Sequence, residues 1–159
     1  MLTALRPTNN PFMINIVDSG FGTVIRKDRP QMDKQYIILD YTPKDELLKY
    51  LCLIKEPLSE LHAKLIFFKI LKGVQNCHNA GICHLDLKTD NILLDENFVP
   101  KLCDFGFAIR NNGHLREYLG TESYAAPEIF LHKTFDGFKA DIFSLGVVLL
   151  NLTTRKFGF

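Results

Sequence analysis

The stretch His84-Leu85-Asp86-Leu87-Lys88-Thr89-Asp90-Asn91, followed by Asp104-Phe105-Gly106, is the most informative part of this chain. Its residue types divide one chemical task among them. Asp86 is a carboxylate able to accept a hydroxyl proton. Lys88 is a fixed cation able to neutralise charge on a transferred group. Asn91 offers a neutral amide oxygen and Asp104 an anionic one, a donor set that suits a magnesium ion retaining waters and phosphate oxygens in its shell. Gly106, after Phe105, leaves the backbone free to aim a metal ligand. These are the parts that phosphoryl transfer needs. Taken singly they carry little. An Asp-x-Lys pair is ordinarily a solvated surface pair, and Asp-Phe-Gly is ordinarily a turn. Their joint order and separation carry the argument.

Working outward, Ile92-Leu93-Leu94 and Val99 to Cys103 are two short apolar runs separated by Asp95-Glu96-Asn97, which predicts a small hairpin. Residues 106–125 are Gly-rich and polar and predict a long irregular loop, a kind that is often functional. Ala140 to Thr153 predicts an apolar helix buried on most sides. On the N-terminal side, Ser59 is placed to cap a helix in which Leu61, Leu65, Phe68, Leu71 and Val74 recur at helical spacing, with Gly81 placed to end it. Thr42 and Pro43, with Asp45 and Glu46 behind them, predict a shorter helix start running to about Leu53. Ile14 to Val17 is a short strand candidate and Gln35 to Asp40 a stronger one. Arg26 to Lys34, charged and containing Pro30, reads as a loop between them.

The chain has 159 residues, 47% of them apolar, and a net charge of +1. That length suits one domain with a real core. The near-neutral charge gives no electrostatic reason to expect nucleic acid as a partner. The longest apolar run, Ile142 to Leu150, falls short of the roughly 20 residues of a membrane span, so no membrane insertion is expected. Cys52, Cys77, Cys83 and Cys103 form no Cys-x-x-Cys pair and no zinc-ligand spacing. They read as reduced thiols of a cytoplasmic or nuclear protein.

The central stretch resembles the catalytic loop H-R-D-x-K-x-x-N and the D-F-G motif of eukaryotic protein kinases. Two further blocks fall in the order that family requires. Gly120-Thr121-Glu122-Ser123-Tyr124-Ala125-Ala126-Pro127-Glu128 is similar to the G-T-x-x-Y-x-A-P-E that closes the activation segment. Lys139 to Val147 is similar to the helix D-x-W-S-x-G-V, with Phe143 in place of Trp. The resemblance covers essentially the whole chain. It implies an α+β, protein kinase-like fold, mainly the helical large lobe with a remnant of the β-rich small lobe: residues 1–40 as the remnant, 41–45 as the hinge and 46–159 as a large lobe. It also implies a serine/threonine protein kinase that uses ATP and magnesium and acts on a Ser or Thr hydroxyl of a protein, Lys88 pointing to that class.

Roles follow by position. Asp86 is the implied catalytic base, Lys88 the contact to the γ-phosphate, and Asn91 and Asp104 the magnesium ligands. Thr121 supports Asp86 and Lys88, and Asp141 anchors the loop backbone from below. His84, Phe105, Gly106 and Glu128 are implied supporting residues, Glu128 through an Arg beyond this chain. Leu39 is the implied gatekeeper. Backbone groups of Asp40 and Thr42 meet the adenine, Leu93 lies beneath it, and Glu46 faces ribose or a basic substrate residue.

Three departures qualify the resemblance. Leu85 stands where most regulated members carry an Arg that pairs with an activation-loop phosphate, and Glu117 takes the position of the phosphorylated Thr. Control by activation-loop phosphorylation is therefore not expected. No residue matches the β3 Lys or the helical Glu of the small lobe. Asp18-Ser19-Gly20-Phe21-Gly22-Thr23-Val24, with Lys27 behind it, looks like the end of a glycine-rich loop, but about ten residues separate Val24 from Gln35, too few for two strands and a helix. Asn9 to Ile16 better resembles the loop and strand after the αC helix. The chain also stops soon after the central helix, which predicts uncovered apolar faces at Leu145, Val148 and Leu149. A fragment of low activity is one expectation; a non-catalytic, pseudokinase-like binding module is the alternative.

Overall fold

The computed structural model describes residues 10–26, 29–117, 119–131 and 134–156. Strand β1 (Ile16–Arg26) pairs antiparallel with β2 (Arg29–Leu39), Ile16 opposite Leu39 and Gly20 opposite Tyr36. This ribbon is far longer than the short strand expected at 14–17, and β2 takes in most of the predicted loop. Pro30 pairs with Ile25 next to a register irregularity between Thr23 and Ile25, the kind of interruption at which a strand takes proline. The Gly-x-Gly at 20 and 22 has a packing explanation. The ring of Tyr36 lies across both, 3.0–3.2 Å from where their Cβ atoms would be, and its hydroxyl donates to Asp18 Oδ2 at 3.0 Å.

Helix α1 (Leu47–Leu53) starts at Glu46, later than the Thr42 cap predicts. Asp45 adopts φ 64°, which breaks a helical path. Residues 44–46 are instead tied to the neighbouring strand β4 (Ile92–Leu94). Lys44 N–H donates to Leu94 O, Leu94 N–H donates to Asp45 O, and Glu46 bridges Leu93. Strand β4 forms the expected hairpin with β5 (Pro100–Leu102).

Helix α2 (Glu60–Asn79) is bounded as its sequence predicts. Ser59 Oγ accepts from His62 N–H, and Gly81 follows at φ 73°. Of the apolar stripe in its sequence only Val74 is buried. Ala63, Ile70, Gly73, Val74 and Cys77 turn inward, while Leu61, Leu65 and Phe68 are exposed. The small residues permit close approach. A Cβ on Gly73 would sit 2.8 Å from Phe12 O and 2.9 Å from Leu102 Cδ1, so the helix lies almost against backbone there.

Strand β3 (Ile82–Cys83) pairs with β6 (Ile109–Arg110). Helix α3 (Pro127–Phe130) is a single turn. Helix α4 (Gly137–Thr154) is capped by Asp136, which accepts from Phe138 N–H. It packs on α2 through a core that includes Ile70, Val74, Leu145, Val148 and Leu152. Leu145 and Val148 are therefore covered, contrary to expectation, while Leu149 stays partly exposed. By length and composition α4 could cross a membrane, which the short apolar run at 142–150 had not suggested; 50% of that window is buried inside the fold. Asp141, Ser144 and Asn151 point into the core, as in a core helix of a globular domain.

Candidate active site

The site is assembled on Asp141, a carboxylate 1% exposed on α4. Its Oδ2 accepts from His84 N–H and its Oδ1 from Leu85 N–H, both at 2.8 Å. His78 on α2 donates from Nε2 to Oδ2, also at 2.8 Å. A buried carboxylate is tolerated when it is satisfied in this way. With these bonds made, Leu85 turns through φ 62°, and the next carboxylate, Asp86, bonds to Thr121 and Asn91.

His84 is fixed by a second set of bonds. Its Nε2 donates to Cys103 O at 3.0 Å, which leaves Nδ1 as the acceptor for Asp86 N–H at 3.3 Å. Its ring lies 4.8 Å from that of Phe105. Burial pushes the His84 pKa below its ordinary value, against the opposing pull of Asp141 and neighbouring acids, and the neutral ring is the form this bonding needs. Burial likewise raises the Cys103 thiol to about 12.

Asp86 is 4% exposed and held from three directions. Thr121 Oγ1 donates to Oδ1 at 2.7 Å. Asn91 Nδ2 donates to Oδ2 at 2.8 Å and to the Asp86 carbonyl at 2.9 Å. Lys88 Nζ lies 3.0 Å from Oδ2 and donates to Thr121 Oγ1 at 2.7 Å. Carboxylate oxygens have further lone pairs, so the group can still receive a hydroxyl. Asn91 O accepts from Cys103 N–H at 3.0 Å, and this stitches the loop to the segment carrying Asp104. Asp104 is exposed, with φ 54°, and its Oδ1 accepts from Gly106 N–H at 3.2 Å.

The donor set fits magnesium. The Nδ2 of Asn91 is spent on Asp86, leaving its Oδ1 as the ligand atom, and Asp104 retains carboxylate lone pairs. Among the described residues no cluster of three or more His, Cys, Asp or Glu side chains could hold a metal by itself.

A protein kinase domain family model matches residues 7–159. The chain belongs to the protein kinase domain family. It is 36% identical over 134 residues to testis-specific serine/threonine-protein kinase 5 of Mus musculus, covering 79% of this chain and 36% of that protein. It is 40% identical over 131 residues to CBL-interacting protein kinase 26 of Oryza sativa subsp. japonica, covering 79% and 26%. It is 41% identical over 129 residues to serine/threonine-protein kinase SIK1 of Mus musculus, covering 80% and 16%. The chain thus spans about a third or less of the length of these curated relatives.

In this kinase domain the candidates Leu39, Asp104, Phe105 and Gly106 line, with Ile14 and Ile37, a cleft of about 300 Å³; Asp40, Thr42, Glu46, Leu93 and Glu128 are not among its lining residues. Leu39 and Asp104 thus share one space. Asp40 follows β2; its N–H donates to Asn15 O at 3.1 Å, and its carboxylate accepts from Asn15 Nδ2 at 2.7 Å. Thr42, Glu46 and Leu93 are half-buried on the adjoining segment, with Glu46 3.6 Å from Lys49. Glu128 is half-buried in the first turn of α3.

Sequence reasoning missed several supporting residues. Ile14 and Ile37 line the cleft. Tyr124 donates to Asn151 Oδ1 at 2.8 Å and its hydroxyl lies 3.0 Å from Thr89 Oγ1, while Ser144 Oγ donates to the Tyr124 carbonyl at 2.8 Å. The available signal was Ser144 and Asn151 inside an otherwise apolar helix, since buried polar groups require partners. Gly120, at φ 96°, passes against the carbonyl of Leu85 so closely that a side chain would not fit.

Proposed function

We propose that this kinase domain transfers the terminal phosphoryl group of magnesium-bound ATP to a serine or threonine hydroxyl of a protein. The observation that carries the reading is the buried Asp86 carboxylate, fixed by Thr121, Asn91 and Lys88 beside a segment that presents Asp104 to the cleft. Magnesium–ATP, when bound, supplies the electrophilic phosphorus and its leaving group. Asp86 orients the incoming hydroxyl and takes its proton. Lys88 stays at the edge of the loop as a fixed cation against the negative charge of the transferred group. Thr121 holds Asp86 and Lys88 in register, so neither has to reorganise during transfer. Asn91 and Asp104 hold the metal. In the reading we favour, residues up to 40 form the small-lobe part, 41–45 the hinge and 46–159 the large-lobe part, with nucleotide in the cleft beside Leu39.

The test is phosphate transfer from ATP to protein substrates by the full-length protein and its Asp86→Asn variant. Loss of the general base is expected to lower kcat roughly a hundred- to ten-thousand-fold, with nucleotide affinity little changed. Equal rates in the two proteins would refute the reading.

A further inference from the structure

The segment from Gly106 to Gly120 is fastened to the large-lobe core in a way the reaction itself does not require. Asn111 N–H donates to Gly81 O at 3.0 Å. Asn111 Nδ2 donates to Asp136 Oδ1 at 2.7 Å, the same oxygen that caps α4 through Phe138 N–H at 3.0 Å. Asn111 Oδ1 lies 3.4 Å from Gly137 N. Farther along, Leu115 and Phe135 exchange both backbone bonds, at 3.0 and 2.9 Å. Their side chains are buried with Cys83, Leu85, Ala126, Ile129 and Ala140 in a cluster separate from the main core. Leu85 is therefore an interior member of that cluster. Glu117, two residues past Leu115, is exposed.

We propose that Leu115 and Phe135, with Asn111 clasped to Asp136, form an apolar latch over Leu85 that holds the activation segment in its working position without phosphorylation. The route to the reacting groups is short. The latch fixes Leu115, and Leu119 packs on the same cluster. Gly120 then passes against the Leu85 carbonyl, and Thr121 reaches Asp86 and Lys88. Leu115 and Phe135 are positioning residues that act through Thr121. A charged side chain at 85 would bring an unpaired cation into this cluster, at the cost of burying it or expelling the segment. A phosphate at 117 would meet an exposed position with Leu85 sequestered below it.

This inference rests on the phosphotransfer reading for its kinetic arm and on the geometry alone for its exchange arm. The full-length protein, phosphatase-treated and untreated, is compared with Leu115→Ala, Leu115→Met and Asn111→Ala. The readouts are kcat, the Michaelis constants for protein substrate and for ATP, and hydrogen exchange at the amides of Leu115 and Phe135. Leu115→Ala should lower kcat about tenfold with the KM for ATP unchanged. Leu115→Met should restore it, Asn111→Ala should give the same split in weaker form, and phosphatase treatment should leave the wild type unaffected. Both amides should be protected in the wild type and exchange faster in Leu115→Ala. Loss of activity or opening of the segment on phosphatase treatment would overturn the latch, as would wild-type exchange and kinetics in Leu115→Ala. If Leu115→Ala fails to fold, Asn111→Ala decides by the same two readouts. Should the wild type transfer no phosphate, the functional reading fails separately; protected amides unaffected by phosphatase still support the latch, and unprotected amides overturn it.

Discussion

The loop region 84–106 and the β1–β2 ribbon both reach the cleft between Leu39 and Asp104, and they are held in opposite ways. The loop region is polar and buried. His84, Asp86, Thr89 and Asn91 are nearly inaccessible, and their positions come from side-chain bonds to Asp141, Thr121 and the 103 backbone. The ribbon leaves even its apolar residues exposed. Val17, Phe21, Ile37 and Ile38 face solvent, and its order comes from its own ladder, with Asn15 and Asp40 joining its base. Inside the low-dielectric core each hydrogen bond is strong, and each lost partner leaves an unsatisfied group. On the ribbon water replaces a lost partner. The cleft is accordingly bounded by buried side-chain bonds on one side and by an exposed backbone ladder on the other.

The largest test of this contrast is Asp141→Ala. It strips acceptors from the buried N–H groups of His84 and Leu85, and breaking such a network is expected to cost about 3–5 kcal/mol of unfolding free energy. Urea denaturation measures it. A loss no larger than that of truncating exposed Ile37 would erase the distinction between the two regions.

A smaller effect is expected from pH. The folded-state pKa of His84 lies below its ordinary 6.5 because burial disfavours the imidazolium. The unfolded chain therefore binds the proton more readily. The contribution of His84 is fully present above that ordinary value and is lost as pH falls through the lowered, folded-state one. Comparing urea midpoints at about pH 7.5 and about pH 5.5 should show the loss in the wild type and less of it in His84→Asn. A wild-type midpoint independent of pH across this range would contradict the assignment.

The smallest effect belongs to the ribbon. Gly22→Ala brings a methyl against the edge of the Tyr36 ring, 3.2 Å from Cε1, where a flexible side chain can shift. Stability should change by less than about 1 kcal/mol, and the KM for ATP should not move. A marked rise in that KM would mean that the glycines approach phosphate, and the ribbon would have to be read as a nucleotide loop.

Some features were legible because they depend on near neighbours in the chain. Ser59 and Gly81 bound α2 through capping and a left-handed turn, both local devices. The β4–β5 hairpin follows from two apolar runs around Asp95-Glu96-Asn97. The order of His84, Asp86, Lys88, Asn91 and Asp104 was readable because a reaction needing a base, a cation and hard ligands restricts residue type at each position. Other features were not. Helix α2 has two apolar stripes, and periodicity alone cannot say which is buried. The start of α1 was misread because residues 44–46 bond to β4 instead of continuing the helical path that Thr42 and Pro43 suggest.

The sequence by itself therefore determined the chemical inventory, the family, the ends of α2 and the β4–β5 hairpin, since each depends on residue identity within a few positions. Only the tertiary structure decided which face of α2 is inside, that Leu85 belongs to an apolar cluster, and that Asp141, more than fifty positions from His84, is the anchor of the loop. Such outcomes depend on competition among distant partners for burial, and Gly73 against Leu102 won a competition that the larger residues Leu61, Leu65 and Phe68 lost.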